Sequence, residues 1–184
     1  MEMIDRHAIP NLRKYLKQSF MGTVVIVMII FALDAAVHTV IIATLGATTF
    51  IVFAMPHSYA SEPRRIFGGY AVGIIVGIIV HYLHIFFLFL DPDGFEGINV
   101  LLGGLAIGLS TLLMAFTNTE HPPAAGFSMG LIFNPWTFET LGVVVGAITF
   151  LSLSKYVLKN WLINLHGPTP QEHCPVGEDK LENS

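Results

Sequence analysis

The stretch IFGGYAVGIIVGIIVHYLHIFFLFL, residues 66–90, decides the fold class of this chain. It contains no Asp, Glu, Lys or Arg. At ~1.5 Å per helical residue it is longer than the roughly 20 residues that cross a hydrocarbon core of about 30 Å. Such a run predicts a helix that spans a membrane.

Five further apolar segments flank this run and make lipid the solvent of the chain. Of 184 residues, 53% are hydrophobic and 12% charged, and the mean hydropathy is +0.67. A water-soluble domain of this size cannot cover so much apolar surface. We therefore predict an all-α fold, a polytopic transmembrane helix bundle of four to six spans that includes short or re-entrant helices. The five segments are Phe20–Val37, Val40–Ala54, Val100–Thr117, Ala124–Asn134 and Thr137–Leu158.

The basic residues predict the orientation of the chain. With six crossings, all 9 Lys and Arg lie on one side of the bilayer, and the opposite loops carry acidic residues only. Because Lys and Arg concentrate on the cytoplasmic side, we predict a multi-pass protein of the cell membrane, with both termini cytoplasmic and the lipid bilayer as its main partner. The predicted parts are a cytoplasmic amphipathic segment 1–19, a transmembrane domain 20–160 and a polar cytoplasmic tail 161–184.

A stripe of small residues marks one face of the longest run. Gly69, Gly73 and Gly77 are spaced four residues apart, so they share one side of a helix. Such stripes let two helix backbones approach closely in a membrane. Two interpretations stay open: close packing within one subunit, or a homo-oligomer interface through these three glycines.

Several function classes lack support in the sequence. No nucleophile–base pair, phosphate-binding glycine loop or metal-ligand cluster of specific spacing occurs, so we predict no enzyme activity, no cofactor and no metal site. No basic patch interleaved with aromatic residues suggests a nucleic acid partner. The single cysteine, Cys174, has no partner in the chain for a disulfide.

Two polar breaks in the apolar sequence resemble each other, at residues 55–65 and 118–126. In each, a histidine and prolines follow one apolar run and precede a glycine-containing one. Proline is favoured in the first turn of a helix, so Pro63 and Pro122 each predict a helix N-terminus, which directs N–H groups and a positive dipole end outward. A short helix that begins within a membrane in this way is suited to holding an anion.

These breaks and the polar residues of the spans supply the candidate substrate-binding residues. The set comprises His57, Arg64 and Arg65 in the first break, Asn118, Thr119, His121, Pro122, Pro123, Ala124 and Gly126 in the second, and Thr48 and Ser110 within spans. Simpler roles remain open for each kind of residue. The arginines can be topology signals, and the hydroxyls can bond to the preceding helical turn. His121 could gain or lose a proton near neutral pH, or it can instead simply cap a helix.

Three ordered blocks resemble the HPP family of integral membrane proteins, named for the tripeptide that stands here as His121-Pro122-Pro123. The first block runs from ATLGAT at residues 43–48 to AMPHS at residues 54–58. The second is EPRRIFGG at residues 62–69, and the third is TNTEHPPAAG at residues 117–126. With the order of the spans, the resemblance covers roughly residues 20–159.

The resemblance implies a fold and a function. The family is usually described as having four membrane spans, and its members in chloroplasts and cyanobacteria are regarded as nitrite transporters. It therefore implies a transporter or channel for a small monovalent anion, with nitrite as the first candidate. Ala125 departs from the usual glycine, and Glu120 places an acid beside the motif, which suits an anion site only if it pairs with Arg64, Arg65 or His121. The alternative is a non-transporting membrane scaffold or partner subunit.

Overall fold

The computed structural model describes residues 10–32, 39–90, 97–133 and 136–165. In these ranges it contains six α-helices and one 3-10 turn, which agrees with the predicted all-α class. Four helices are long and apolar enough to cross a membrane, and α2 and α5 are shorter. The elements are α1 Leu12–Ala32, α2 Thr39–Ala54, a 3-10 turn Tyr59–Ser61, α3 Pro63–Leu90, α4 Gly97–Thr117, α5 Pro122–Phe133 and α6 Phe138–Leu158.

The first helix begins earlier than the sequence predicts. α1 starts at Leu12 and continues without a break, so the amphipathic residues placed in segment 1–19 form its first two turns rather than a separate element. The other predicted spans lie within about three residues of the observed helices. The predicted ends at Val37 and Asn134 lie outside the described residues.

The glycine stripe of α3 faces α5 in the same chain. A Cβ added to these glycines would lie 2.7 Å from the nearest atom of the facing segment at Gly69, 2.5 Å at Gly73 and 2.8 Å at Gly77. At Gly73 and Gly77 that atom is the backbone carbonyl oxygen of Ala124 and Ser128. The stripe therefore packs within one subunit, and it is not the free surface that the homo-oligomer interpretation requires.

Successive helices run in opposite directions. The contacts of α3 with α5 follow the same order along both helices, so these two are parallel and α4 returns between them. α2 is antiparallel to α5, because Val40 near its start packs against Gly130 and Thr48 farther along reaches His121. The two short helices therefore alternate in direction with their neighbours, but at 16 and 12 residues they are shorter than the four candidate spans.

A buried glutamine joins three elements at one end of the bundle. The Nε2 amide of Gln18 donates to the carbonyl oxygens of Phe53, at 2.6 Å, and Ile163, at 2.7 Å. Nearby, the Leu165 N–H donates to the Ala54 carbonyl at 2.8 Å. Residues 161–165, predicted as the start of a polar tail, therefore belong to the packed fold.

The same end of the bundle carries the basic residues. It contains the first turns of α1 and α3 and the last turn of α6, where Lys155 Nζ donates to the Ser61 carbonyl at 2.7 Å. This basic end is defined by Arg13, Lys14, Lys17, Arg64, Arg65, Lys155 and Lys159. Arg6 and Lys180 lie outside the described residues. The separation of charge that the sequence predicts is therefore present throughout the part of the chain that the structure describes.

Candidate functional site

His121 lies fully buried, with 0% of its surface exposed, in the connection between α4 and α5. Its Nδ1 is 2.9 Å from the carbonyl oxygen of Ala60, which can only accept, so Nδ1 carries a proton and donates it. In the neutral ring Nε2 then accepts from the Thr48 hydroxyl, 3.0 Å away. His121 is thus bonded on both sides of the ring, to the 3-10 turn and to α2.

The Thr48 hydroxyl links the histidine to a tyrosine on α3. Its oxygen lies 2.9 Å from the Tyr70 hydroxyl and 3.0 Å from the Thr44 carbonyl, so its single proton is shared between that carbonyl and His121 Nε2. Thr48, Tyr70 and His121, the His121 cluster, are all completely buried. The bond to the preceding turn and the polar tertiary contact, which the sequence left as alternatives for Thr48, are both present.

Burial alters the acid–base behaviour expected of His121. Loss of water contact lowers its pKa from 6.5 to about 4, and the hydrogen bond to Ala60 offsets this only in part. The imidazole therefore stays neutral near pH 7. The titration near neutral pH expected from the sequence is wrong, because that expectation assumed an imidazole in contact with water.

This lowered pKa predicts how stability depends on pH. The folded protein resists protonation of His121, whereas the unfolded chain takes up the proton near pH 6.5, so this contribution is complete above pH 6.5 and is lost as pH falls toward 4. The difference amounts to about 3 kcal/mol. We expect the melting temperature of purified protein to fall more steeply over this range than that of His121→Gln. Parallel curves for the two proteins would contradict the assignment.

An ion pair stands beside the cluster at the basic end. Arg65 Nη1 donates to the carboxylate of Glu120, the residue before His121. The guanidinium also lies 3.9 Å from the centre of the Tyr59 ring, and its Nε is 3.4 Å from the Glu62 carboxylate. Only 13% of the Arg65 side chain is exposed. The acid beside the motif therefore has the partner that an anion site requires.

The helix N-termini offer fewer donors than the sequence interpretation assumed. Pro122 and Pro123 have no N–H, and the Ala124 N–H donates to the His121 carbonyl at 2.9 Å. At α3, Pro63 likewise lacks an N–H, and the N–H groups of the third and fourth helical residues both donate to the carbonyl just before the helix. Any anion at this site would be held mainly by side chains rather than by backbone N–H groups.

Asn118 and Thr119 form the C-terminal end of α4. Asn118 adopts a left-handed conformation with φ 53, and the Thr119 N–H donates back to the Met114 carbonyl at 2.9 Å. This is the usual way in which a left-handed residue closes a helix C-terminus. The Thr119 hydroxyl is 2.7 Å from that of Thr117, so neither candidate reaches the His121 cluster through a side-chain hydrogen bond described here.

The remaining candidates divide by burial. His57 and Arg64 are exposed at the basic end, and the His57 N–H donates to Asn164. Ser110 is fully buried, and its hydroxyl has no partner among the described residues. Within α5, Pro123 and Ala124 are buried, Pro122 is exposed and Gly126 packs against Thr44.

Tyr70 and the Ala60 carbonyl were missed at the sequence level. Tyr70 could have been identified from the sequence, because it is a hydroxyl-bearing residue next to the predicted glycine face of an otherwise apolar run. The Ala60 carbonyl has none, since any residue supplies one. Within the described ranges, no group of three or more His, Cys, Asp and Glu could hold a metal ion.

Comparisons with known proteins agree with this architecture. The family model described as "HPP, transmembrane region" matches residues 8–166. A protein of Dictyostelium discoideum described as a transmembrane protein is 31% identical over 113 residues, which is 60% of this chain. The matched region spans 36% of that relative's length. No solved structure matches the chain.

Proposed function

This chain belongs to the family of membrane proteins that share the HPP transmembrane region, and we propose that it is a transporter or channel for a small monovalent anion, with nitrite as the first candidate. The Arg65–Glu120 pair beside the His121 cluster is the observation that carries the proposal. It places a largely buried guanidinium next to the only polar cluster in which α2, α3 and the start of α5 meet among the described residues.

The shape of the pair suggests the class of anion. A guanidinium is a planar fork of N–H donors that matches two oxygens of one anion. Nitrite, like a carboxylate, is a bent monovalent anion with two oxygens. In this proposal Glu120 occupies Arg65 in the closed state, and an entering anion takes the place of its carboxylate.

In this proposal the anion passes from Arg65 to the His121 cluster. Polar side chains inside a membrane protein are costly and commonly mark a substrate pathway. Thr48 and Tyr70 carry hydroxyls, and neutral His121 carries one N–H that is bonded to Ala60 in the described conformation, so an anion can be solvated there without a second fixed charge once these bonds open. Because all three are buried, the described conformation is closed, and transport requires the cluster to separate.

Uptake into liposomes tests the proposed function. Purified protein reconstituted into vesicles should admit nitrite faster than protein-free vesicles, and the order of rates among nitrite, formate, nitrate and chloride would define selectivity. We expect nitrite and formate, the two bent anions with two terminal oxygens, to exceed chloride. Folded protein with no flux of any of the four would reject transport.

The second candidate function is a membrane scaffold that transports nothing. The observation that favours it is the complete burial of His121, with both ring nitrogens bonded within the chain. In that case the cluster is a structural cross-link between α2, α3 and the α4–α5 connection. Substitutions in it would then lower the melting temperature, and no anion would alter that temperature.

We also propose that the basic end faces the cytoplasm, because Lys and Arg near span ends are retained there. In a background without Cys174, Glu139→Cys should react with an impermeant thiol reagent on intact cells, since it begins α6 at the opposite end. Asn160→Cys, beyond the other end of α6, should react only after permeabilisation. Labelling of both from one side would contradict the arrangement.

A further inference from the structure

A cavity with both charged and apolar lining lies at the basic end, and no residue of the His121 cluster lines it. It has a volume of about 520 Å³ and lies between the first turns of α1 and residues 160–163, which follow α6. Lys14 and Lys17 line it, together with Phe20, Met21 and Trp161. Its size falls within the range of about 300–1,000 Å³ that is usual for small-ligand sites.

The lining of this cavity changes from charged to apolar along α1. Lys14 lies at the outer end of the helix, whereas Phe20 is six residues deeper, ~9 Å along the axis. Trp161, 73% exposed, lies across from them just beyond α6, where tryptophan is typical of the membrane interface. A ligand that fills this cavity must therefore be polar at the bilayer surface and apolar toward the hydrocarbon.

The charge of the site is positive. Among the described residues, no carboxylate lies within 4.0 Å of the ammonium groups of Lys14 and Lys17, and the ion pairs that do form belong to Arg65. Gln18 also lines the cavity, but its amide hydrogen-bonds Phe53 and Ile163 and serves to hold the walls together. The two lysines are therefore the charged groups that the cavity offers to a ligand, beside the polar Asn160.

We propose that this cavity binds the headgroup of an anionic phospholipid. The lysines would hold the phosphate, and Phe20, Met21 and Trp161 would contact the glycerol and the upper acyl chains. Basic pockets between helices on one side of a membrane bind anionic headgroups in this way. A free phosphate ion would satisfy the lysines and leave the apolar half of the cavity unfilled, so the amphipathic lining favours the lipid.

Tryptophan quenching tests the proposal with lipids as the probe. In a Trp136→Phe protein, Trp161 is the sole tryptophan. It is reconstituted into phosphatidylcholine vesicles in which a small fraction is either brominated phosphatidylglycerol or brominated phosphatidylcholine. We expect at least about twofold stronger quenching by the anionic lipid, because an ionic contact worth about 1 kcal/mol per lysine enriches it at the site.

The matched variants separate the cavity from the general charge of the basic end. Lys14→Gln/Lys17→Gln should remove the preference, whereas Arg13→Gln, a neighbouring base that does not line the cavity, should retain it. Equal quenching by the two lipids, or equal loss in both variants, would overturn the proposal. Relief of the excess quenching by millimolar inorganic phosphate would also overturn it, because it would identify a site for a soluble anion.

Discussion

Gly73→Leu should prevent the protein from folding into its native bundle. Even the Cβ of a side chain at this position would lie 2.5 Å from the Ala124 carbonyl oxygen. This oxygen belongs to the backbone of α5, so it cannot move aside as a flexible side chain could. Overpacking in an ordinary core costs about 1–3 kcal/mol, and a forced separation of α3 from α5 should exceed that. We expect aggregated or polydisperse protein in detergent chromatography and loss of a cooperative thermal transition.

The matched control for this substitution is Gly104→Leu on α4. A Cβ added to Gly104 meets nothing within 4 Å, so this leucine should be tolerated and the melting temperature should change little. Gly73→Ala offers a milder test, because it adds only the clashing carbon. Wild-type melting of Gly73→Ala would show that α3 and α5 do not pack as described.

Arg65→Gln should reduce nitrite flux about tenfold or more. Removing the guanidinium eliminates the charged donor that the proposal assigns to the anion, and hydrogen bonds to charged groups are worth about 1.5–3 kcal/mol. Arg65→Lys should recover only part of the flux, since it retains the charge without the planar fork. Flux is measured in liposomes that contain equal amounts of folded protein.

Arg64→Gln is the matched control, because Arg64 is the exposed neighbour of Arg65 at the start of α3. Arg64 carries the same charge as Arg65 and is next to it in the sequence. No hydrogen bond or ion pair between the described residues joins Arg64 to Glu120. It should therefore transport nitrite at close to the wild-type rate. Equal losses in the two variants would point to a general effect of surface charge rather than to a built site.

Apolar run length and glycine spacing predict much of the fold. The run at residues 66–90 becomes the longest helix, and the short segments become α2 and α5 at nearly their predicted limits. The sequence did not show which helix packs against the glycine stripe. The spacing of Gly69, Gly73 and Gly77 indicates a close approach, but only the three-dimensional packing shows that the approaching helix is α5 of the same chain.

The candidate site was predicted in part. His121, Thr48 and Arg65 were identified as candidates, and the structure joins His121 to Thr48 and places Arg65 on Glu120. The sequence analysis also expected backbone N–H groups to hold the anion. The structure offers few of them, because the first two residues of α5 are prolines, which have no N–H. Arg64 and Arg65 were indistinguishable in sequence, since which of two adjacent side chains points inward depends on helix phase.

The measurement that tests the central claim most directly is the nitrite concentration at half-maximal flux in Glu120→Gln. If the Glu120 carboxylate competes with the anion for Arg65, a neutral amide should leave the guanidinium free for more of the time and lower that concentration. We predict a decrease of about fivefold or more, as expected when a binding-competent state becomes more populated. An unchanged or higher value in folded Glu120→Gln protein would contradict the account, because Glu120 would then not occupy the place of the anion.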